Sequence, residues 1–222
     1  MEKFQKILMK FGTNSLTKNN KLDNSVIQKI AAVTDLLYNH EKKPIIVTSG
    51  AVAAGMELNK LIARPKRTEE LQDLSAEGAR YLWSLYAKAF ERYNIGTIYV
   101  PITWHSFNTK KEIKNIEKII ERSWEKRKIT IWNTNDALTN EELIKVNLPN
   151  GFYDNDPLAA RLAVAANADL LIFFTDYGIM GSGGKYSKIK AIETAKKEGI
   201  FVDVKSINYL DEMLKGEIKW KS

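Results

Sequence analysis

"KPIIVTSGAVAAG", Lys43 to Gly55, is the stretch on which the fold turns. It begins as an apolar strand, passes through Thr-Ser-Gly, and continues in small residues that suit the start of a helix. Upstream, "KILMKFG" (6–12) is another short apolar strand ending in glycine. Between the two, Ser25 is placed to cap a helix whose apolar residues Ile27, Ile30, Val33, Leu36 and Leu37 recur at helical spacing. Strand, helix, strand is the signature of a βαβ unit.

The alternation continues downstream. A helical region from about Glu69 to Tyr93 leads to the strand "IGTIYVP", and the mixed-charge helix within 110–128 leads to "KITIWN". "PLAARLAVAANA" predicts a helix with Pro157 in its first turn, followed by the fully apolar strand "DLLIFFTD". "SKIKAIETAKKEG" predicts a helix stopped by Gly199, and "IFVDV" a last strand. The expected architecture is α/β: a three-layer αβα sandwich around a mainly parallel sheet, with residues 1–222 forming one domain.

Composition narrows the function classes. The chain has 222 residues, 44% of them apolar, enough for a substantial core. It has no cysteine and two histidines, His40 and His105, so a disulfide framework, a thiolate metal site and a cysteine nucleophile are excluded, and no metal site is expected. The net charge of +7 comes mostly from dispersed lysines, and the basic stretch 110–128 interleaves Glu with Lys as a solvated helix face does. Nucleic acid is therefore not the expected partner. No segment reaches the roughly 20 apolar residues of a membrane helix, and a soluble, cytoplasmic protein is expected.

In parallel α/β sheets ligands sit beyond the carboxyl ends of the strands. Here those ends carry "KFGTNS", "TSGAVAAG", "NTND" and "TDYGIMGSGG", each rich in Gly, Ser, Thr, Asn or Asp, so that one sheet edge presents small donors, backbone N–H groups and carboxylates. Lys10 with the N–H groups of Gly12 and Thr13 is a candidate phosphate contact. "TSGAVAAG", with Ser49 and Gly50, reads either as an anion site at a helix start or as tight helix-on-sheet packing. It lacks the Lys-Ser or Lys-Thr of a P-loop and the dinucleotide G-x-G-x-x-G. The Asn and Asp residues of "NTNDAL" and "YDNDPLAA" suit turns and caps, Asp156 before Pro157 making a good N-cap; they equally suit substrate contacts. "GSGGKYSK" adds backbone donors and Lys188. Two lysines from distant parts of the chain converging on one sheet edge point to phosphoryl transfer, where catalysis is largely positioning and charge neutralisation.

"MKFGTNSLT", "IIVTSGAVAAGM", "WNTNDAL", "YDNDPLAARLA", "FFTDYGIMG" and "KIKAIETAKKEGI" occur in the order of the glutamate 5-kinase branch of the amino acid kinase family, which the chain resembles from Lys6 to about Val204. The resemblance implies transfer of the γ-phosphoryl of ATP to the side-chain carboxylate of L-glutamate, the first step toward proline, with Mg2+ bound through the ATP phosphates. It implies phosphate-binding roles for Lys10 and Lys188 and an organising role for Asp156. It places Ser49, Gly50, Asn133, Asp136 and Asn155 at the glutamate, with Asp136 facing the α-ammonium. Lys10, Gly12, Thr13, Thr175, Asp176 and the loop Ser182, Gly183, Gly184, Lys185, Tyr186, Ser187 and Lys188 fall to the nucleotide. A homo-oligomer, dimer or tetramer, is also implied.

The chain departs from the family pattern in specific places. Only "YGIM" separates Asp176 from Gly181, where the family has a substantial stretch around the base and ribose. Lys185 and Tyr186 stand for Met and Ser, Asn14 for Ser and Thr134 for Glu, and the RNA-binding-like C-terminal domain of many members is expected to be absent. Two alternatives stay open on the sequence: a non-catalytic member that binds glutamate or a protein partner, and a kinase for another small carboxylate or phosphate acceptor.

Overall fold

The computed structural model describes residues 4–19, 21–139, 155–175 and 185–216, without the side chains of Lys185 and Tyr186. Its central sheet has six parallel strands: β1 (Lys6–Phe11), β4 (Lys43–Thr48), β5 (Gly96–Ile102), β6 (Lys128–Thr134), β7 (Leu170–Phe174) and β8 (Phe201–Lys205). Their spatial order is β5-β6-β4-β1-β7-β8, which puts β1 in the middle. From β1 the chain adds β4 on one side, places β5 at that edge and inserts β6 between β4 and β5, then crosses to the other side for β7 and β8. That reversal beside β1 is the switch point at which open α/β sheets bind ligands.

Helices cover both faces. On one side α2 (Asn24–Asn39), α4 (Thr68–Glu91) and α8 (Tyr209–Leu214) pack on a core that includes Ile7, Met9, Phe11, Ile46, Ile131 and Phe174. On the other, α5 (Lys110–Glu125), α6 (Asn155–Ala165) and α7 (Lys185–Lys197) enclose Leu8, Ile45, Val47, Trp132 and Phe173. The split follows from the two-residue period of a strand: consecutive side chains of β1 alternate between the two cores. With both faces buried, β1, β4 and β7 read as continuous apolar runs.

Local details differ from the sequence expectations. Helix α2 starts at Asn24, and Asp23 rather than Ser25 caps it, its carboxylate accepting from the Ser25 N–H at 3.0 Å and the Ser25 hydroxyl at 2.6 Å. Aspartate brings a charged acceptor to the positive end of the helix, and Ser25 becomes its donor. A one-turn helix α1 (Thr13–Leu16) and a small hairpin of β2 (Thr17–Lys18) with β3 (Lys21–Leu22) fill the β1–α2 connection, too short to show a period in sequence. Gly199 does end α7, with φ of 78°.

Helix α3 (Ala51–Leu58) leaves β4 through Gly50, whose φ of 99° is left-handed and accessible to glycine at little cost. It crosses α4 with backbone on backbone. A Cβ added at Gly55 would stand 2.0 Å from the Leu74 carbonyl oxygen, and one at Gly78 only 1.9 Å from that of Ala51. Gly55 in "TSGAVAAG" is thus a packing glycine, while Gly50 makes the turn at the strand end.

Candidate active site

The centre of the site is a buried ion triad. Lys10 comes from β1, where alternation places it with Leu8 on the α5–α7 face; its register partners are Val47 of β4 and Phe173 of β7. Above it the first turn of α6 presents Asp156 and the first turn of α7 presents Lys188. The Lys10 ammonium pairs with Asp156 Oδ1 and the Lys188 ammonium with Oδ2 at 2.6 Å. Asp156 is 1% exposed, Lys10 4% and Lys188 7%, so water screens these charges poorly. Lys188 Nζ also lies 5.1 Å from the centre of the Phe173 ring.

This arrangement corrects the reading of Asp156 as an N-cap: it lies within α6, and its carboxylate is directed to the lysines. Burial pushes the Asp156 carboxyl up; the charges of Lys10 and Lys188 and their hydrogen bonds outweigh burial and hold it below the ordinary carboxylate range. Within the triad two ammonium groups face one carboxylate in a poorly hydrated place. Lysine serves a phosphoryl group well as a point charge.

Beside the triad the ends of β4 and β6 build a polar wall. The Asn155 side-chain amide donates to Ser49 Oγ at 2.9 Å, to Asn133 Oδ1 at 3.2 Å and to the Thr48 carbonyl at 3.3 Å. One residue of α6 thereby ties together two strand ends, and it precedes Asp156 in the chain. Thr48 in turn shares a 3.0 Å hydrogen bond with the buried Tyr86 hydroxyl of α4. Tyr99 is hydrogen-bonded to Asn133; burial raises its phenol, the nearby Asp136 charge adds to the rise, and the Asn133 bond opposes it. Asp136, 6% exposed, accepts from the Ser75 hydroxyl of α4 at 3.3 Å.

These residues surround a cavity of about 90 Å3 lined by Thr13, Gly50, Asn133, Asp136, Asn155 and Arg64, with Ala51 to Ala53 at the start of α3. The volume is well below the several hundred Å3 of a drug-sized pocket, so the cavity suits a small polar ligand. The structure therefore brings together Lys10, Lys188 and Asp156 in one cluster, and Asn133, Asp136, Asn155, Ser49 and Gly50 in the adjoining wall.

The other sequence candidates fare differently. Gly12 follows β1 directly, its N–H donating to the Phe174 carbonyl at 3.4 Å, and Thr13 opens α1 at the cavity. Thr175 follows β7 directly, with its N–H on the Lys205 carbonyl at 2.9 Å. Asp176, Ser182, Gly183 and Gly184 lie outside the described residues. The helix expected from Ser187 starts two residues earlier, at Lys185, so that Lys185 and Tyr186 of the glycine loop read from sequence join Ser187 and Lys188 in the first turn of α7. Sequence reasoning missed Ser75 and Arg64. Ser75 sits in the small-residue stretch "LSAEGA" of α4, whose spacing with Gly78 is the one local hint that another backbone passes close by; Arg64, one of several cations in the 59–67 loop, carries no local signal.

A parallel αβα sheet with a buried Lys–Asp–Lys triad at its switch point fits a class of phosphate-handling proteins. The amino acid kinase family profile matches residues 5–202, and the chain belongs to that family. Among similar curated proteins are the glutamate 5-kinases of Thermoanaerobacter sp. (strain X514), 33% identical over 195 residues covering 86% of this chain and 50% of the relative, and of Aquifex aeolicus, 34% identical over 176 residues covering 78% and 48%. The chain spans about half the length of these curated relatives. Two solved structures share the fold over 98% of this chain and 97% of their own: UMP kinase from Ureaplasma parvum (TM-score 0.62, 15% identity) and carbamate kinase from Giardia lamblia bound to AMP-PNP (TM-score 0.64, 14% identity).

Proposed function

We propose that this protein transfers the γ-phosphoryl group of ATP to the side-chain carboxylate of L-glutamate. The observation that carries the reading is that Asn155, which lines the small cavity with Asp136 and Asn133, is followed in α6 by Asp156, the centre of the triad Lys10–Asp156–Lys188. The curated relatives named glutamate 5-kinase support the choice of acceptor.

In this reading the glutamate ammonium faces Asp136, while Asn155, Asn133 and Ser49 fix the rest of the molecule. An oxygen of its side-chain carboxylate attacks the γ-phosphorus, the bond from that phosphorus to the β,γ-bridging oxygen breaks, and ADP leaves with the electron pair. Lys10 and Lys188 stabilise the charge on the transferring oxygens, and Asp156 holds both ammonium groups in place beforehand. Among the described residues no group of three or more His, Cys, Asp or Glu comes together. Mg2+ bound through the nucleotide phosphates would neutralise part of their charge.

The test is glutamate-dependent ADP release with Mg2+ and ATP or GTP. Turnover that requires glutamate is expected, and its absence with every nucleotide, from folded protein, overturns the proposal. Only ten positions, 175–184, separate the end of β7 from α7. That short connection favours a second reading, binding without transfer. Thermal unfolding separates the two: stabilisation by glutamate with no response to any nucleotide supports the second.

A further inference from the structure

We infer that Arg64 is the specificity-determining residue that receives the α-carboxylate of the amino-acid substrate. The inference rests on the glutamate reading above and extends it to a residue outside the family motifs.

Of the residues lining the 90 Å3 cavity, two carry charge: Asp136 and Arg64. Asp136 is buried on the wall formed after β6, and Arg64 is exposed in the 59–67 loop between α3 and α4. Among the described residues the Arg64 guanidinium makes no ion pair or hydrogen bond, whereas its neighbour Arg67 is paired with Glu69 at 3.7 Å. An α-amino acid carries one ammonium and one carboxylate at its α-carbon. A cavity with one carboxylate and one uncommitted guanidinium on its lining matches that pair of charges, and the planar guanidinium can grip a carboxylate with two parallel hydrogen bonds.

The loop is placed by more than its own sequence. Its first residues are fixed by the Leu61 N–H on the Met56 carbonyl at 2.9 Å and by Asn59 Nδ2 on Glu77 Oε2 at 2.6 Å. Its two ends belong to helices locked together at Gly55 and Gly78. Pro65 restricts Arg64 itself to extended backbone. With the α-carboxylate on Arg64 and the ammonium on Asp136, the side chain of the substrate is left to extend toward the triad.

The test compares L-glutamate with isoglutamine, in which the α-carboxylate is an amide while the ammonium and the accepting side-chain carboxylate remain. Isothermal titration calorimetry of the full chain is expected to show about 100-fold weaker binding of isoglutamine, the scale of a lost charge-assisted pair. No measurable isoglutamine binding at accessible concentrations counts as the same result. Arg64→Ala should lose about the same factor for glutamate with isoglutamine nearly unchanged, and Arg64→Lys should recover part of it. Unchanged thermal midpoints verify that the variants fold. Wild-type protein that binds glutamate and isoglutamine equally, or Arg64→Ala protein that binds glutamate as tightly as wild type, overturns the inference and leaves the glutamate reading standing. Wild-type protein that binds no glutamate overturns both.

Discussion

Lys10 and Lys188 hold opposite oxygens of one buried carboxylate, Lys10 at Oδ1 and Lys188 at Oδ2 of Asp156. Removing either lysine leaves a balanced ion pair, so Lys10→Ala and Lys188→Ala should remain folded. Each should lower kcat by about 10²–10³, the loss seen when one preorganised charge-stabilising donor is removed from a site. The KM for glutamate should move far less. Steady-state kinetics with glutamate and ATP varied separately checks the split; an equal effect on KM would place the lysines in substrate binding instead.

Asp156→Asn should be harsher on the fold, because it leaves two buried ammonium groups without a counter-charge. Breaking a buried pair in this way costs about 3–5 kcal/mol. The native carboxyl is held below its ordinary value, so its contribution is fully present above the unfolded value and is lost as pH falls through the folded one. The stability gap between wild type and Asp156→Asn should therefore be constant from neutral pH to about 5 and shrink below about 4. Urea unfolding of both proteins across that range measures it.

Ser75→Ala removes the hydroxyl that donates to Asp136 Oδ2 at 3.3 Å. A hydrogen bond to a charged group contributes about 1.5–3 kcal/mol, and the length of this one favours the lower end. The KM for glutamate should rise about tenfold with kcat nearly unchanged. A fall in kcat alone would show that Ser75 does not act through the substrate ammonium.

Gly78→Ala forces a methyl group to within 1.9 Å of the Ala51 carbonyl oxygen. Helix propensity gains about 1 kcal/mol from the substitution. The clash is with backbone and outweighs that gain, for a net loss of about 2 kcal/mol or more. Since Ala51 starts α3 at the cavity, glutamate binding should weaken alongside the urea midpoint; intact binding in a destabilised variant would separate the helix crossing from the site.

The alternation of apolar strands with periodic helices was legible in the sequence, because strand and helix periods are local properties of neighbouring residues. So was the identity of the polar strand ends: Lys10, Ser49, Asn133 and Thr175 follow directly on apolar runs whose termini the turn residues mark. What sequence could not show is that Asp156, a plausible helix cap, faces two lysines. That depends on α6 and α7 packing over the same face of β1 on which alternation places Lys10. Asn155 joining β4 to β6, Ser75 reaching Asp136 from another helix, and Arg64 entering the cavity from a loop likewise arise from packing between elements distant in the chain. The amino-acid order determined which groups stand at the sheet edge. Only the tertiary structure decided which of them touch, because burial and charge pairing across separate elements, not local periodicity, set those contacts.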